Sequence, residues 1–558
     1  QLSIYQLLAS KYFQVGLRIL FFQSFFALFL LLFILGCNKE KKERSAGFVQ
    51  VHPEGFSLKG EPFFPIMLNY ITNFRLIKDS VTISAAMDYE KYGEYEYFTK
   101  KELQAQIDRH FKLIKSMGFN SLRLVGLSSL EYQKNYPAAS YSYIGEHGER
   151  DFFSLRDNKK IKELKTSLQQ LIDLAEKNEL KVMLLLPRPR KQDQFNYERL
   201  SFIKQVLILF KDNPTVFAYD FFNEPLYFDN SEWKEFYNYQ RRKETAYELV
   251  TKWRQLMNKN APNQLFTIGF AEPLEVFEWD PGILDIDFVS FHTYHPLRVP
   301  NEIYWYAKNA KKPWMITETA LPAEDDSISY SSQAIFMKEV LQRTIDCGGS
   351  GFGWWQFQDV NWGPFEHNYT ALLNHQGKIE LADGEFIYGS IKPAVNALQN
   401  FDFKVKNECV CWNNYYNMLG YKNYLLKGVI VDAEMNEPIE DAVIRGWTND
   451  WKIGANTFSK LDGSFTLYSN KPFVNFEVSA IGKETEKFLF EPDYLRISPK
   501  KEIALGNEDL EYAQIHYQRF LKEESKNQSV FTFEDSLFNQ FQYQAKMPLI
   551  QLTTVKIE

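Results

Sequence analysis

Thr215-Val216-Phe217-Ala218-Tyr219-Asp220-Phe221-Phe222 runs directly into Asn223-Glu224-Pro225, and much later in the chain Trp314-Met315-Ile316-Thr317 runs into Glu318-Thr319. Both runs are short and rich in aromatic or β-branched residues, as strands buried on both faces of a parallel sheet are. Each therefore reads as a strand with a glutamate where it stops. In a (β/α)8 barrel the carboxyl ends of all strands meet at one face, so two glutamates far apart in sequence can face each other across one pocket.

Outward from these two runs the chain alternates strand-like and helix-like segments, which is the pattern of a parallel α/β barrel. After a small hairpin between Val49 and Leu58, the first strand is Phe63–Asn69. The second is Ser121–Leu124, preceded by a helix from Lys101 to Met117 with Gly118 as its stop. The third is Lys181–Leu186, after a helix from Lys160 to Lys177, and the fourth ends at Glu224. Leu265–Gly269 is the fifth, Phe288–His292 the sixth, the run into Glu318 the seventh and Gly351–Trp355 the eighth. Eight is the number that closure requires. A last helix from Lys392 to Asn400 ends the barrel, which gives it residues 48–402. The insert from Thr72 to Phe98 after the first strand is long enough to block one end of a cleft.

Beyond a linker at 403–424 the pattern changes. Leu426 to Ile481 shows short alternating runs and turns such as Asp462-Gly463, with no long helical stretch, so 425–558 reads as a small antiparallel β-sandwich. A polar helical insertion from Asp509 to Lys526 precedes a last strand, Leu549–Val555. The expected fold is thus α/β: a (β/α)8 TIM barrel followed by a β-sandwich.

With 558 residues the chain exceeds one ordinary domain, and its net charge of −7 with no stripe of Lys and Arg among aromatics argues against a nucleic-acid partner. Near the start, Lys11 and Arg18 precede an apolar stretch from Ile19 to Gly36 that ends in Ile34-Leu35-Gly36-Cys37. This resembles a bacterial lipoprotein signal peptide. The resemblance implies that 1–36 is removed, that Cys37 is acylated, and that 37–47 is a solvated tether. The protein would then be anchored by lipid in the bacterial cell envelope, at the outer membrane or cell surface. An uncleaved signal anchor is the alternative, since roughly 18 apolar residues nearly span a bilayer. Cys347, Cys409 and Cys411 form an odd set with neither metal-ligand spacing nor a disulfide framework, and read as structural. The histidines also lack ligand spacing, so neither a metal nor a cofactor is expected.

Asn223-Glu224-Pro225 after the fourth strand and Glu318 after the seventh resemble family 5 glycoside hydrolases and their clan of retaining (β/α)8 enzymes. Arg123 falls where that family has an arginine at the end of strand two. His292 and Tyr294 match its His-x-Tyr after strand six, and Trp355 its strand-eight tryptophan. The resemblance spans residues 48–402. It implies that Glu224 is the acid/base and Glu318 the nucleophile, with Arg123 and Tyr294 as partners of Glu318. Asn223 would bond the sugar 2-hydroxyl, His292 would orient the acid or the substrate, and Trp355 would stack on the sugar. A retaining mechanism needs its two carboxyl groups roughly 5–5.5 Å apart with their pKa values split, the charge of Glu318 helping to keep Glu224 protonated.

Each of these residues also has a plain structural reading: a strand terminator, an ion pair, a packed indole. Trp354 and Trp355 are adjacent, so alternation sends one of them to the outer layer. Tyr227, Trp279, Trp305 and Trp362 lie on loops after strands, open to either sugar stacking or packing. Leu186-Pro187-Arg188-Pro189-Arg190 stands where many cellulases of the family carry histidine-containing sequence, and its arginines could meet a charged glycan or pair with surface carboxylates. Family analogy points to a β-mannan or β-glucan polysaccharide or oligosaccharide as substrate. A glycan-binding lipoprotein on a catalytically inactive barrel is the competing expectation. At the C-terminus, Gly428–Asp432, Pro438–Val443 and Asp462–Phe465 resemble the carboxypeptidase regulatory-like domain, and a docking role for that sandwich is a third possibility.

Overall fold

A computed structural model of the protein describes residues 47–86, 99–131, 139–145, 148–188, 196–228, 242–324, 329–360, 369–411, 423–497 and 542–557. The expected signal segment, Cys37 and the tether up to Ala46 lie outside them, as do Arg190, Trp362 and the helical insertion at Asp509–Lys526.

Eight parallel strands form the barrel: β1 (Ile66–Ile77), β2 (Ser121–Val125), β3 (Lys181–Leu185), β4 (Val216–Asn223), β5 (Leu265–Phe270), β6 (Val289–His292), β7 (Trp314–Glu318) and β8 (Phe352–Trp354). They pair in chain order, and β8 returns to β1 with Phe352 opposite Ile66. Between β7 and β8 the seam is held by Ser350 N–H on the Trp314 carbonyl (2.7 Å) and Trp355 N–H on the Thr319 carbonyl (3.0 Å). The strands fall close to their expected ranges, with one exception. β1 continues from Asn69 to Ile77 and folds back through Lys78 and Asp79, both at positive φ, to pair with Ser80–Ala85. Two residues with positive φ are what a two-residue hairpin turn of this hand needs. The first part of the expected insert is therefore a β-ribbon, and 87–98 lie outside the described residues.

The base of the barrel is plugged by a three-stranded antiparallel sheet, Gln50–His52, Gly55–Leu58 and Glu61–Phe63. Val49 and Phe56 pack there with Met67, Met183, Phe217, Leu265 and Met315, and Phe56 meets the Phe288 ring edge-on at 5.1 Å. A dry base confines polar chemistry to the opposite rim.

Helices cover the outside: α1 (Lys100–Ser116), α2 (Asn158–Lys177), α3 (Asn196–Phe210), α4 (Arg242–Asn260), α5 (Val299–Asn309), α6 (Tyr330–Asp346) and α7 (Ala394–Gln399). Thr99 and Glu102 close α1 with a reciprocal capping box, which explains where that helix starts. After β5 there is only a single 3-10 turn, Pro273–Phe277, instead of a helix. The C-terminal part of the chain packs on that turn: Ser479 Oγ donates to the Val276 carbonyl (3.2 Å) and Thr485 Oγ1 to the Phe277 carbonyl (2.6 Å). Beside it Lys243 of α4, wholly buried, reaches Asp280 at 3.0 Å and the Ala480 carbonyl at 2.8 Å. Gly282 lets Ile481 approach, since a β-carbon there would lie 2.6 Å from Ile481 Cγ2.

That C-terminal part consists of two packed sheets, as expected of a sandwich. One joins β9 (Tyr424–Asp432), β12 (Ser464–Ser469), β15 (Leu495–Arg496), β16 (Tyr543–Lys546) and β17 (Ile550–Leu552), and it is mixed rather than wholly antiparallel, because β16 and β17 run parallel to β9. The other orders β11 (Gly454–Phe458), β10 (Val443–Trp447), β13 (Asn475–Ser479) and β14 (Glu486–Leu489). The described linker residues do not run free. Asn407 N–H bonds Asp346 (2.7 Å), Arg343 reaches the Val410 carbonyl (3.2 Å), and Cys409 is disulfide-bonded to Cys347.

That bond corrects the reading of the cysteines. Residues separated by 62 positions become neighbours because the segment after α7 returns along α6, a proximity that spacing alone does not show. Closing a loop of that length contributes roughly 4 kcal/mol on a chain-entropy basis. Cys347→Ser is thus expected to lower the denaturant midpoint under non-reducing conditions, and reduction of the wild type should do the same. An unchanged midpoint would show that hydrogen bonds alone hold the segment.

Candidate active site

The carboxyl ends of β2, β4, β6, β7 and β8 bring the predicted residues together. β4 ends at Asn223, and Glu224 follows at φ +46°, a region that side chains with a β-carbon avoid at a cost on the order of 1–2 kcal/mol. The turn is fixed by Glu224 N–H on the Gly269 carbonyl of β5, at 2.6 Å. The Glu224 carboxyl is thereby aimed at His292, whose Nδ1 lies 2.7 Å from Oε1. His292 Nδ1 is also 3.6 Å from Glu318 Oε2. One oxygen of each glutamate and the imidazole nitrogen all lie within 4.8 Å of one another.

Glu318 ends β7 with both oxygens engaged. Arg123 Nη1 donates to Oε1 and the Tyr294 hydroxyl donates to Oε2. Arg123 is wholly buried and is held from every side. Its Nε and Nη2 donate to Asp220 Oδ2 (3.1 and 2.8 Å), its Nη2 to Asn223 Oδ1 (2.7 Å), and its Nη1 to Asn69 Oδ1 (3.1 Å). Asn69 in turn donates to the carbonyls of Thr317 (2.8 Å) and Trp354 (3.0 Å), which ties β1 to β7 and β8. Asp220 Oδ1 accepts from Gly269 N–H at 2.9 Å. A single cation thus lies between two buried carboxylates, the geometry in which such charges are tolerated.

These surroundings set the protonation states. Burial pushes the Glu224 carboxyl up to about 7, with Glu272 and Asp220 adding to the effect and Arg123 opposing it. The expectation of a less compensated site helped by the charge of Glu318 differs from this in the charges involved: beside desolvation they are those of Glu272 and Asp220. Burial and the Arg123 charge pull His292 down to about 4, so its imidazole is neutral. Burial together with Glu318 and Glu224 holds the Tyr294 hydroxyl well above its ordinary range, which keeps it a donor. For Arg123, burial works against the charge, but Glu318 and Asp220 more than offset it.

Trp355 follows β8, little exposed, and its N–H bonds the Thr319 carbonyl next to Glu318. Trp354 turns outward, donating from its indole to the Thr370 carbonyl (3.0 Å) and meeting Phe336 of α6 edge-on. Two of the four aromatics expected on loops are packing residues, and one of them, Trp305, lies within α5 rather than on a loop. Trp279 is buried against Trp253 and Phe222, and Trp305 lies between the barrel and Phe458 of β11 with its indole on the Asp441 carbonyl. The side chain of Tyr227 lies outside the described residues. Arg188, half-buried, already has a partner.

Asp220, Asn69, Gly269 and Glu272 are site residues that the sequence reading missed. A charge inside the otherwise apolar β4 was a usable signal, because a buried carboxylate must be paired.

Among the described residues, Glu224, His292 and Glu318 also form the cluster whose donors could hold a cation. Arg123 and Tyr294 already engage the two oxygens of Glu318.

The model of the cellulase family (glycosyl hydrolase family 5) matches residues 91–358. No curated protein is similar enough to count as a match. Among solved structures, the endo-1,4-β-mannanase from Rhizomucor miehei is 16% identical over 56% of this chain and 90% of its own, with a TM-score of 0.37. A Streptomyces cattleya GH5_18 protein solved with GlcNAc is 13% identical over 67% of this chain and 86% of its own, with a TM-score of 0.43. β-Glucuronidase 2 of Bacteroides uniformis is 12% identical over 80% of this chain and 48% of its own, with a TM-score of 0.41. Over residues 91–358, just under half of its length, the chain is thus similar to the family 5 glycosyl hydrolases.

Proposed function

We propose that the barrel cleaves a β-linked polysaccharide or oligosaccharide with retention of configuration, Glu318 attacking the anomeric carbon and Glu224 protonating the leaving oxygen. The observation that carries this reading is the closeness of the two carboxyl groups. One oxygen of each within 4.8 Å of the other suits the roughly 5–5.5 Å between the carboxyl groups of a retaining pair better than the roughly 6.5–9.5 Å of an inverting one. Arg123 and Tyr294 keep Glu318 oriented for attack. Glu224, half-buried and with its carboxyl raised to about 7 by desolvation, holds its proton at neutral pH. Once that proton has gone to the leaving group, Glu224 must act as the base that activates water. A neutral His292 suits both stages, because its Nδ1 can accept from the protonated carboxyl or, in the other tautomer, donate to the carboxylate. Asn223 gives its Oδ1 to Arg123, which leaves its amide N–H groups for the sugar 2-hydroxyl. A β-mannan or β-glucan backbone is the proposed substrate class.

Reducing-end release from mannans, glucans, xylans and their oligosaccharides tests the activity, and the anomer first formed, followed by NMR, tests retention. A first product with inverted configuration would sink the mechanism. Activity is expected to fall as pH rises through about 7, where Glu224 loses its proton. A profile flat to pH 9 would remove Glu224 from the role of acid.

A further inference from the structure

The sheet of β10, β11, β13 and β14 has an outer face that is only partly covered. Alternation along β10 places Val443, Arg445 and Trp447 on it and turns Ile444 and Gly446 to the sandwich core, where Leu467, Phe473 and Phe476 close around Gly446. At one end the barrel covers this face: Val443 and Ser479 are fully buried, and Phe458 stacks on Trp305. Four residues along, about 13 Å at the rise of a strand, the same face is in water. There the Trp447 and Trp451 rings lie 5.2 Å apart with 49° between their planes, and Trp451 is 49% exposed. Arg445 lies over Trp447 at 4.6 Å, Lys487 is 5.3 Å from Trp451, and Glu477 pairs with Lys487 at 2.9 Å.

Trp451 also adopts φ +60°, where a bulky residue is an outlier. Its backbone N–H bonds the Thr448 carbonyl (3.0 Å), and the Thr448 hydroxyl bonds Asp450 (2.6 Å), so the hairpin loop fixes the backbone that carries the indole. Glycine or asparagine would close this loop with less strain. Neither the loop nor the core accounts for a tryptophan at this position.

We infer that Trp447 and Trp451 form a glycan-binding platform separate from the barrel pocket. A pyranose ring offers a C–H face that packs on an indole, with hydroxyl groups at its edge. Two tilted indoles present two such faces, and Arg445, Lys487 and Glu477 supply donors and an acceptor for the hydroxyls. A protein partner would favour a patch whose centre is depleted of charge, whereas here ions flank both rings. The inference rests on the proposed activity only for the choice of polymer.

The test is native-gel retardation of the full chain by soluble mannan, glucan and xylan, beside hydrolysis of a short oligosaccharide. Trp451→Ala, at an exposed site, and the double variant with Trp447→Ala are expected to weaken retardation by about tenfold or more, with oligosaccharide turnover unchanged. Trp451→Phe should recover part of the retention. Retardation that depends on Trp451 in a chain without hydrolytic activity would uphold the platform and sink the barrel reading. Hydrolysis with retardation unchanged by the variants would overturn the platform alone, as would a wild-type chain that no polymer retards.

Discussion

Glu318→Ala is expected to abolish turnover of every glycan the wild type cleaves, a loss on the order of 10⁵-fold or more, as removal of a covalent nucleophile produces elsewhere. Glu224→Gln should cost less, about 10²–10⁴-fold, the usual span for a general acid. The two losses differ in kind. With an aryl glycoside whose leaving group needs no proton, Glu224→Gln should recover much of the first step, because Glu318 can still attack. Glu318→Ala should gain nothing from that substrate, because the attacking group is gone. Azide sharpens the contrast: in Glu318→Ala it can enter only from the face Glu318 vacates and gives a product of inverted configuration. With alanine at 224, azide attacks the glycosyl-enzyme and the product keeps its configuration. Both variants should fold, although Glu318→Ala leaves Arg123 with one buried carboxylate, Asp220, in place of two. Measuring kcat on natural and activated substrates, with circular dichroism as a check on folding, decides the assignment. Full activity in either variant on the natural substrate would overturn it.

The parts of this site legible in sequence are those at strand ends. β4 and β7 are readable because Phe217–Phe222, interrupted only by Asp220, and Trp314–Ile316 lack the polar alternation of a strand with a solvent face, and a glutamate at the stop of such a run has one rim to occupy. What lay out of reach is pairing between strands. Arg123 could be placed at the end of β2, but its hold on Asp220, Asn69 and Glu318 depends on which strands surround it. The same holds for Cys347 and Cys409. The turn after β5 misleads in another way: Pro273–Phe277 is too short for a helix, and its cover comes from β13 far along the chain. Trp279 and Trp305 could be read as sugar platforms because a position after a strand says nothing of what packs over it, and Trp305 belongs to α5. The segment Arg242–Asn260 was never assigned in the sequence reading, since its polar residues dilute the apolar stripe that signals a helix.

Gly269→Ala should damage catalysis more than stability. The backbone of Gly269 holds the site from both sides, its N–H on Asp220 and its carbonyl on the Glu224 N–H. A β-carbon there would lie 2.7 Å from Asp220 Oδ2, 3.0 Å from His292 Nε2 and 3.3 Å from Arg123 Nη2, so all three groups would have to move. None can move freely. Arg123 spans to Glu318 and Asp220, and His292 spans to Glu224, so a displacement at Gly269 reaches the carboxyl groups of both Glu224 and Glu318. Overpacking of this kind costs about 1–3 kcal/mol of stability, while misplacing reacting groups by about 1 Å costs roughly 10²-fold in rate. Asp220→Asn separates position from charge, because the amide keeps the shape but leaves Arg123 paired with Glu318 alone. Asp220 helps to hold the Glu224 pKa up, so its neutralisation should move the alkaline limb of the pH profile to lower pH. Gly269→Ala should instead lower kcat across the whole profile. Both profiles, with thermal midpoints, test the assignment. If Gly269→Ala retained wild-type kcat, the crowding around β5 would have no part in positioning the pair, and an unmoved limb in Asp220→Asn would remove Asp220 from the control of Glu224.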